Sequence, residues 1–243
     1  MLHQYDWSES SLIVDLFTRD AGRVAVAAKG AKRPTSSLRA VLMPFQRINV
    51  SFGRGARDES ASDIRNLRGA EWGGGVPTVG GEALLSGFYL NELLLKLLAR
   101  EDPHPALWDA YAATLPHLGG DAESAALRAF ELVLLAETGH LPDLARTTST
   151  QQALDPVRRY LLRPEAGLID VRNGDDAAIG GAHFIALQAA VAARNLDDLR
   201  AACRPVSQAL RRQLRHWIAY HLGGAPLRTR EVMLDLQPLL TTR

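Results

Sequence analysis

The chain has 243 residues, a formal net charge of +1, 47% apolar residues and a single cysteine, Cys203. That apolar fraction is enough to bury a core and excludes a disordered tail, while a lone thiol excludes an internal disulfide and an all-cysteine metal site. No run approaches the ~18 consecutive apolar residues of a membrane span, and residues 1–7 lack the basic and apolar regions of a signal peptide. A soluble protein of the reducing cytoplasm is expected.

Residues 1–72 read as β. The apolar, β-branched run 12–17 (LIVDLF) is followed by turn residues 19–22 (RDAG) and a second run 23–29 (RVAVAAK), a spacing that predicts an antiparallel hairpin. Residues 41–52 (VLMPFQRINVSF) predict a further strand, in which Gln46, Ile48, Val50 and Phe52 alternate with Phe45, Arg47, Asn49 and Ser51. Pro44 sets the start of that strand at a bulge or an edge. Residues 57–60 form a hydrophilic connection and 62–72 a last strand. Four or five short strands with Gly and Pro turns predict a small barrel or curled sheet, and the OB type is the commonest such unit with a basic face.

Charge is concentrated in this part of the chain. Between positions 19 and 57 stand nine basic residues, Arg19, Arg23, Lys29, Lys32, Arg33, Arg39, Arg47, Arg54 and Arg57, against one acid, Asp20. That is the footprint of a polyanion-binding face, with a merely solvated basic surface as the alternative reading. On an OB sheet, single-stranded nucleic acid lies across the strands, its phosphates on Lys and Arg and its bases on aromatic rings. The candidate DNA-binding residues are therefore Arg23, Lys29, Lys32, Arg33, Arg39, Arg47, Arg54 and Arg57, with Phe45 and Phe52 as candidate stacking rings. Core packing is the competing reading for both rings.

Five glycines and a proline in residues 73–81 break any regular element, so the expected domains are 1–75 and 76–243. The second domain reads as an irregular helical bundle, which makes the whole chain α+β. Helices are predicted over 82–100, 106–118, 122–138, 184–193, 197–203 and 206–222, with Gly139 placed to cap the third. Residues 140–181, rich in Pro, Gly, Asp and Thr, are expected to be irregular with one helix near 151–162. Asn91 and Glu92, inside an otherwise apolar helix, are expected to form a buried hydrogen-bonded pair at the join between domains.

These residues carry a resemblance. Residues 7–18 (WSESSLIVDLFT), 28–33 (AKGAKR), 42–45 (LMPF) and 87–94 (GFYLNELL), in this order and spacing, resemble the RecO family of bacterial recombination mediators. The resemblance implies an amino-terminal OB fold and a carboxy-terminal helical domain. It also implies a non-enzymatic, nucleoid-associated function: binding single- and double-stranded DNA, annealing complementary strands, and working with RecR so that RecA loads on DNA. The same resemblance implies binding to the acidic, apolar tail of the single-stranded-DNA-binding protein. For such a tail the helical domain is expected to offer an apolar groove flanked by Arg204, Arg211, Arg212 and Arg215, with a solvated helix face as the alternative reading. Many family members carry a four-cysteine zinc site where this chain has residues 140–181; no cysteine stands there, so neither a structural zinc nor any other cofactor is expected, and apolar packing has to hold the segment.

No catalytic motif stands out. The seven histidines show no paired spacing, and Asp175-Asp176 and Asp197-Asp198 are adjacent pairs that point to different sides, a poor start for a nuclease metal site. Cys203 lies among Arg200 and Arg204, yet reads better as a small packed hydrophobe than as a reactive thiol. Besides DNA binding, the remaining alternative is a protein-interaction adaptor whose basic span meets an acidic partner.

Overall fold

A computed structural model describes residues 1–53, 64–75, 79–81, 83–171 and 175–241, with side chains up to residue 235. The chain divides into two compact units, Met1–Pro116 and His117–Arg243. Arg54 and Arg57 lie outside the described residues.

Unit 1 contains β1 (His3–Asp6), β2 (Leu12–Thr18), β3 (Gly22–Ala28), the helical turn α1 (Leu38–Val41), β4 (Ile48–Phe52), β5 (Ile64–Trp72), α2 (Ala83–Leu97) and α3 (Pro105–Thr114). The expected hairpin is β2–β3, paired from Leu12↔Ala28 to Thr18↔Gly22. Thr18 locks its turn: the Oγ1 donates to the Gly22 carbonyl at 2.9 Å and accepts from the Ala21 amide at 3.1 Å. Gly22 is required there. Its φ is +67°, and a Cβ would sit 2.1 Å from the Asp102 carbonyl oxygen.

The sheet order is β1-β2-β3-β5-β4, with β3 parallel to β5 and the other neighbours antiparallel. Among the described residues β1 and β4 remain the two ends, so the barrel expected from sequence is an OB-like sheet that does not close. One face of the sheet buries Val14, Leu16, Val24, Val26 and Ala28 together with Met1, Ala31 and Leu42. The predicted strand over 41–52 is shorter than expected: residues 38–41 turn as a helix and β4 begins at Ile48. β1 is an addition to the sequence reading; all four of its residues are exposed.

Helix α2 buries Leu90, Leu93 and Leu94 completely. Each contributes about 1.5–3 kcal/mol by leaving water. Asn91 ties three elements together: its Nδ2 donates to the Leu2 carbonyl at 2.8 Å, and its Oδ1 accepts from the Tyr111 hydroxyl at 2.6 Å. Glu92 does not share that bond; it faces Lys96 one turn on, at 3.5 Å.

Unit 2 contains α4 (Glu123–Glu137), β6 (Arg159–Arg163), β7 (Gly167–Asp170), β8 (Ile179–Gly180), α5 (Gly181–Ala192), α6 (Leu196–Cys203), α7 (Ser207–His221) and α8 (Arg228–Thr241). The helix predicted near 151–162 is absent: 159–180 instead make a three-stranded antiparallel sheet ordered β7-β6-β8. Tyr160, Leu161 and Leu162 are buried in succession, so both faces of β6 are covered, which in sequence looks like an apolar helix segment. Apolar packing is joined by hydrogen bonds in holding this segment. Gln213 of α7, buried, accepts from the Leu162 amide at 2.7 Å and donates to the Ala177 carbonyl at 2.6 Å. Thr148 accepts from the Leu168 amide through its Oγ1 at 2.8 Å.

Helices α4 to α7 follow their sequence signals, whereas α8 is a further helix beyond the last one expected. Asn195 caps α6 by accepting from the amides of Asp197 and Asp198. Gly139, at φ +71°, follows α4. Leu210, Leu214, Trp217 and Ile218 form the buried stripe of α7, and the Trp217 indole donates to the His140 carbonyl at 2.8 Å.

Candidate nucleic-acid interface

The basic loop that follows β3 is a fixed structure. Gly30, at φ +72°, turns the chain, and Ala31 drops into the sheet core. The Ala31 amide donates to the Ala28 carbonyl, the Lys32 amide to the Ser10 carbonyl at 2.9 Å, and the Arg33 amide to the Gly30 carbonyl at 3.1 Å. The Lys32 ammonium then reaches across to the β1–β2 connection, donating to Asp6 Oδ1 at 3.1 Å and to the Ser8 carbonyl at 3.0 Å. Lys32 is thus the tie that docks the loop. Lys29 and Arg33 are exposed, and among the described residues neither has an ion-pair partner. Arg39, exposed on α1, is likewise without one.

Two other predicted cations are placed differently. Arg23 is half-buried and donates to the Leu95 carbonyl of α2 at 2.5 Å, so it secures the helix to the sheet. Arg47 is exposed at the start of β4, its guanidinium 5.4 Å from the centre of the Trp108 ring. Nearby, Arg19 clasps Asp109 through two hydrogen bonds of 3.0 Å and holds that carboxyl below its usual range.

Both candidate stacking rings face inward. Phe45, at φ +67°, is buried with its ring edge-on to Phe88 at 5.1 Å and pressed against Gly87, where an added Cβ would come within 2.8 Å. Phe52 packs on the sheet core, with the Arg65 guanidinium 5.3 Å over its ring. Phe45, buried in this way, has no free face for a base, while Phe52 is half-buried with a guanidinium over its ring. Among the described residues the large exposed aromatic rings of the unit are Tyr5 (48%), Trp7 (53%) and Trp72 (66%), none of them a candidate from sequence. Tyr5 and Trp7, with His3, recur at every second residue along an edge strand, and that alternation is the signal that would have found them.

In unit 2, Arg204, Arg211, Arg212 and Arg215 are all exposed. Arg212 alone of these lines a cavity of about 810 Å³, beside Leu161, Arg163, Ala177, His216 and Tyr220, and it donates to the Asp176 carbonyl at 3.2 Å. Arg211 and Arg215 share a helix face one turn apart and have no hydrogen-bond or ion-pair partner among the described residues. Cys203 is fully buried, its thiol pushed up to about 12 by burial and by the charge of Glu131, which makes it inert as a nucleophile. The paired acids make local bonds: Asp175 accepts from the Ala177 amide, Asp197 pairs with Arg200 and Asp198 with Asn195. Among the described residues no cluster of three or more His, Cys, Asp or Glu is placed to hold a metal ion, and no helix is long and apolar enough to cross a membrane.

An α+β chain in which an OB-like sheet with a fixed basic loop precedes a helical unit defines a narrow class. The family models "Recombination protein O N terminal" and "Recombination protein O C terminal" match residues 1–70 and 80–231. The chain is 50% identical to the DNA repair protein RecO of Polaromonas naphthalenivorans over 243 residues, covering 98% of this chain and 95% of that one. It is 51% identical to the DNA repair protein RecO of Acidovorax ebreus over 252 residues, with the same coverage, and 49% identical to that of Variovorax paradoxus. The chain belongs to the RecO family of DNA repair proteins, and its role lies in DNA repair and recombination.

Proposed function

We propose that this protein is a non-enzymatic recombination mediator whose sheet unit binds DNA through Lys29, Arg33, Arg39 and Arg47, joined by Arg54 and Arg57. The observation that carries the reading is the docked loop. Its backbone is fixed before any ligand arrives, and two cations stand free on it. Little conformational entropy is then lost on binding a phosphate chain. Cations of this kind displace counterions from phosphates, so affinity falls steeply with salt and depends little on sequence. By screening the charge of two strands at once they also speed annealing. Of the earlier candidates Arg23, Phe45 and Phe52 serve the fold in this reading, and Lys32 acts by positioning its neighbours.

Family membership supports the wider role: cooperation with RecR, capture of the acidic tail of the single-stranded-DNA-binding protein by unit 2, and loading of RecA, all in the cytoplasm at the nucleoid. In this reading the functional boundary lies at 75/76, inside unit 1, with residues 1–75 binding DNA and the helical part from 76 onward serving partners. The test is fluorescence anisotropy of a labelled single-stranded oligonucleotide across a salt series, with annealing of its complement followed in parallel. Binding with a steep salt slope and accelerated annealing support the mediator. Absence of binding at low salt transfers the basic face to an acidic protein partner, the adaptor reading.

A further inference from the structure

Resting on the reading of unit 1 as a DNA-binding unit, we infer that Trp7 is its base-stacking ring, which makes unpaired nucleobases the ligand of the β1 edge. Three observations converge on it. Trp7 is 53% exposed, although an indole is among the largest apolar surfaces a chain can bury. It continues, one residue past the strand, the alternation of His3 and Tyr5, whose rings meet edge-on at 4.5 Å and are themselves exposed. Its backbone is anchored rather than loose, since the amides of Trp7 and Ser8 both donate to the Ser11 carbonyl, at 3.2 and 3.3 Å.

The connection with the basic loop is direct. The residues on either side of Trp7, Asp6 through its carboxylate and Ser8 through its carbonyl, are the two groups that hold the Lys32 ammonium. Trp7 is therefore built into the same docked structure that displays Lys29 and Arg33, and Lys32 cancels the nearby charge of Asp6 that would repel a phosphate. A nucleic acid strand with its phosphates on the loop has an indole face within the same structure for an unstacked base. Trp72, more exposed still, lies opposite Ile48 on the β4–β5 ladder and has no such tie to the loop.

Stacking requires an accessible base face, which single strands offer and duplexes do not. The inference therefore separates ligands. Trp7→Ala and Trp7→Phe are compared with the full-length wild-type chain by anisotropy, on oligothymidine, on the same strand made abasic, and on duplex. Trp7→Ala is expected to weaken oligothymidine binding about tenfold, at an unchanged salt slope, while abasic and duplex binding stay within about twofold. Trp7→Phe keeps a ring and is expected to recover most of the loss. Equal losses on oligothymidine and abasic strand would overturn the inference, because the ring would then act by positioning the loop. No loss on oligothymidine would overturn it too, leaving the ring for a protein contact. If the wild type binds none of the three, the DNA-binding reading itself falls, an outcome distinct from failure of Trp7 alone.

Discussion

The two units carry positive charge in different ways. In unit 1 the cations stand on an irregular loop whose backbone is held by hydrogen bonds, a buried alanine and a lysine tie, with Lys29 and Arg33 projecting from it. In unit 2 Arg211 and Arg215 stand one turn apart on the solvated side of a regular helix. Unit 2 also holds a charged pair inside: Arg128 and Glu131, one turn apart on α4, are both buried and bonded to each other. Similar residue types thus do different work. A cation on a fixed loop is a preorganised site, one on a helix face chiefly keeps the surface wet, and a buried pair organises packing.

The comparison breaks most visibly in the cores. Phe184 of α5 is completely buried, and Phe184→Ala is expected to cost about 3–5 kcal/mol in urea unfolding followed by circular dichroism. Under folding conditions the same variant is expected to bind oligonucleotide normally, because the loss is confined to unit 2. The corresponding break in unit 1 is Asn91→Leu, which removes the hydrogen bonds that Asn91 makes to the Leu2 carbonyl and the Tyr111 hydroxyl. A loss of about 2–3 kcal/mol is expected, and here oligonucleotide binding should decline with it, since β1 and the loop it docks depend on that anchor.

A smaller effect separates the units by pH. His221 ends α7 with its ring 4.4 Å from that of His140, and burial, then the neighbouring His140 charge, lower its pKa from the ordinary 6.5. The unfolded chain therefore takes up this proton more readily than the folded one. Unit 2 should hold its full stability above about pH 6.5 and lose some as the pH falls below it. His221→Phe should flatten that decline in thermal melts, whereas unit 1 variants such as Asn91→Leu leave it in place.

Where the sequence succeeded, short-range chemistry decided the structure. The β2–β3 hairpin follows from its Asp-Ala-Gly turn, the end of α4 from Gly139, and the basic loop from glycine and proline around clustered charge. The failures came where a tertiary partner decided. Strand β1 has no apolar alternation and exists because β2 offers it an edge. Strand β6 reads as apolar helix until Gln213 and the β7 and β8 edges claim its backbone. Of the two readings for Phe45 the core one holds in the fold for a similar reason: its left-handed backbone turns the ring toward Phe88, a reversal that no alternation pattern announces. The spacing of Tyr5 and Trp7 is readable in the sequence, but their exposure and that of Trp72 depend on what the rest of the chain leaves uncovered.

The central claim is that the fixed loop, and not the helix face, is where DNA is held. The most direct test compares the salt dependence of single-stranded DNA affinity for the wild type, a Lys29→Ala, Arg33→Ala double variant and an Arg211→Ala, Arg215→Ala double variant. Loss of two phosphate contacts should flatten the log–log slope of the loop variant by about 1.4, with the helix variant overlaying the wild type. Parallel slopes for the loop variant and the wild type, or flattening in the helix variant alone, would contradict it.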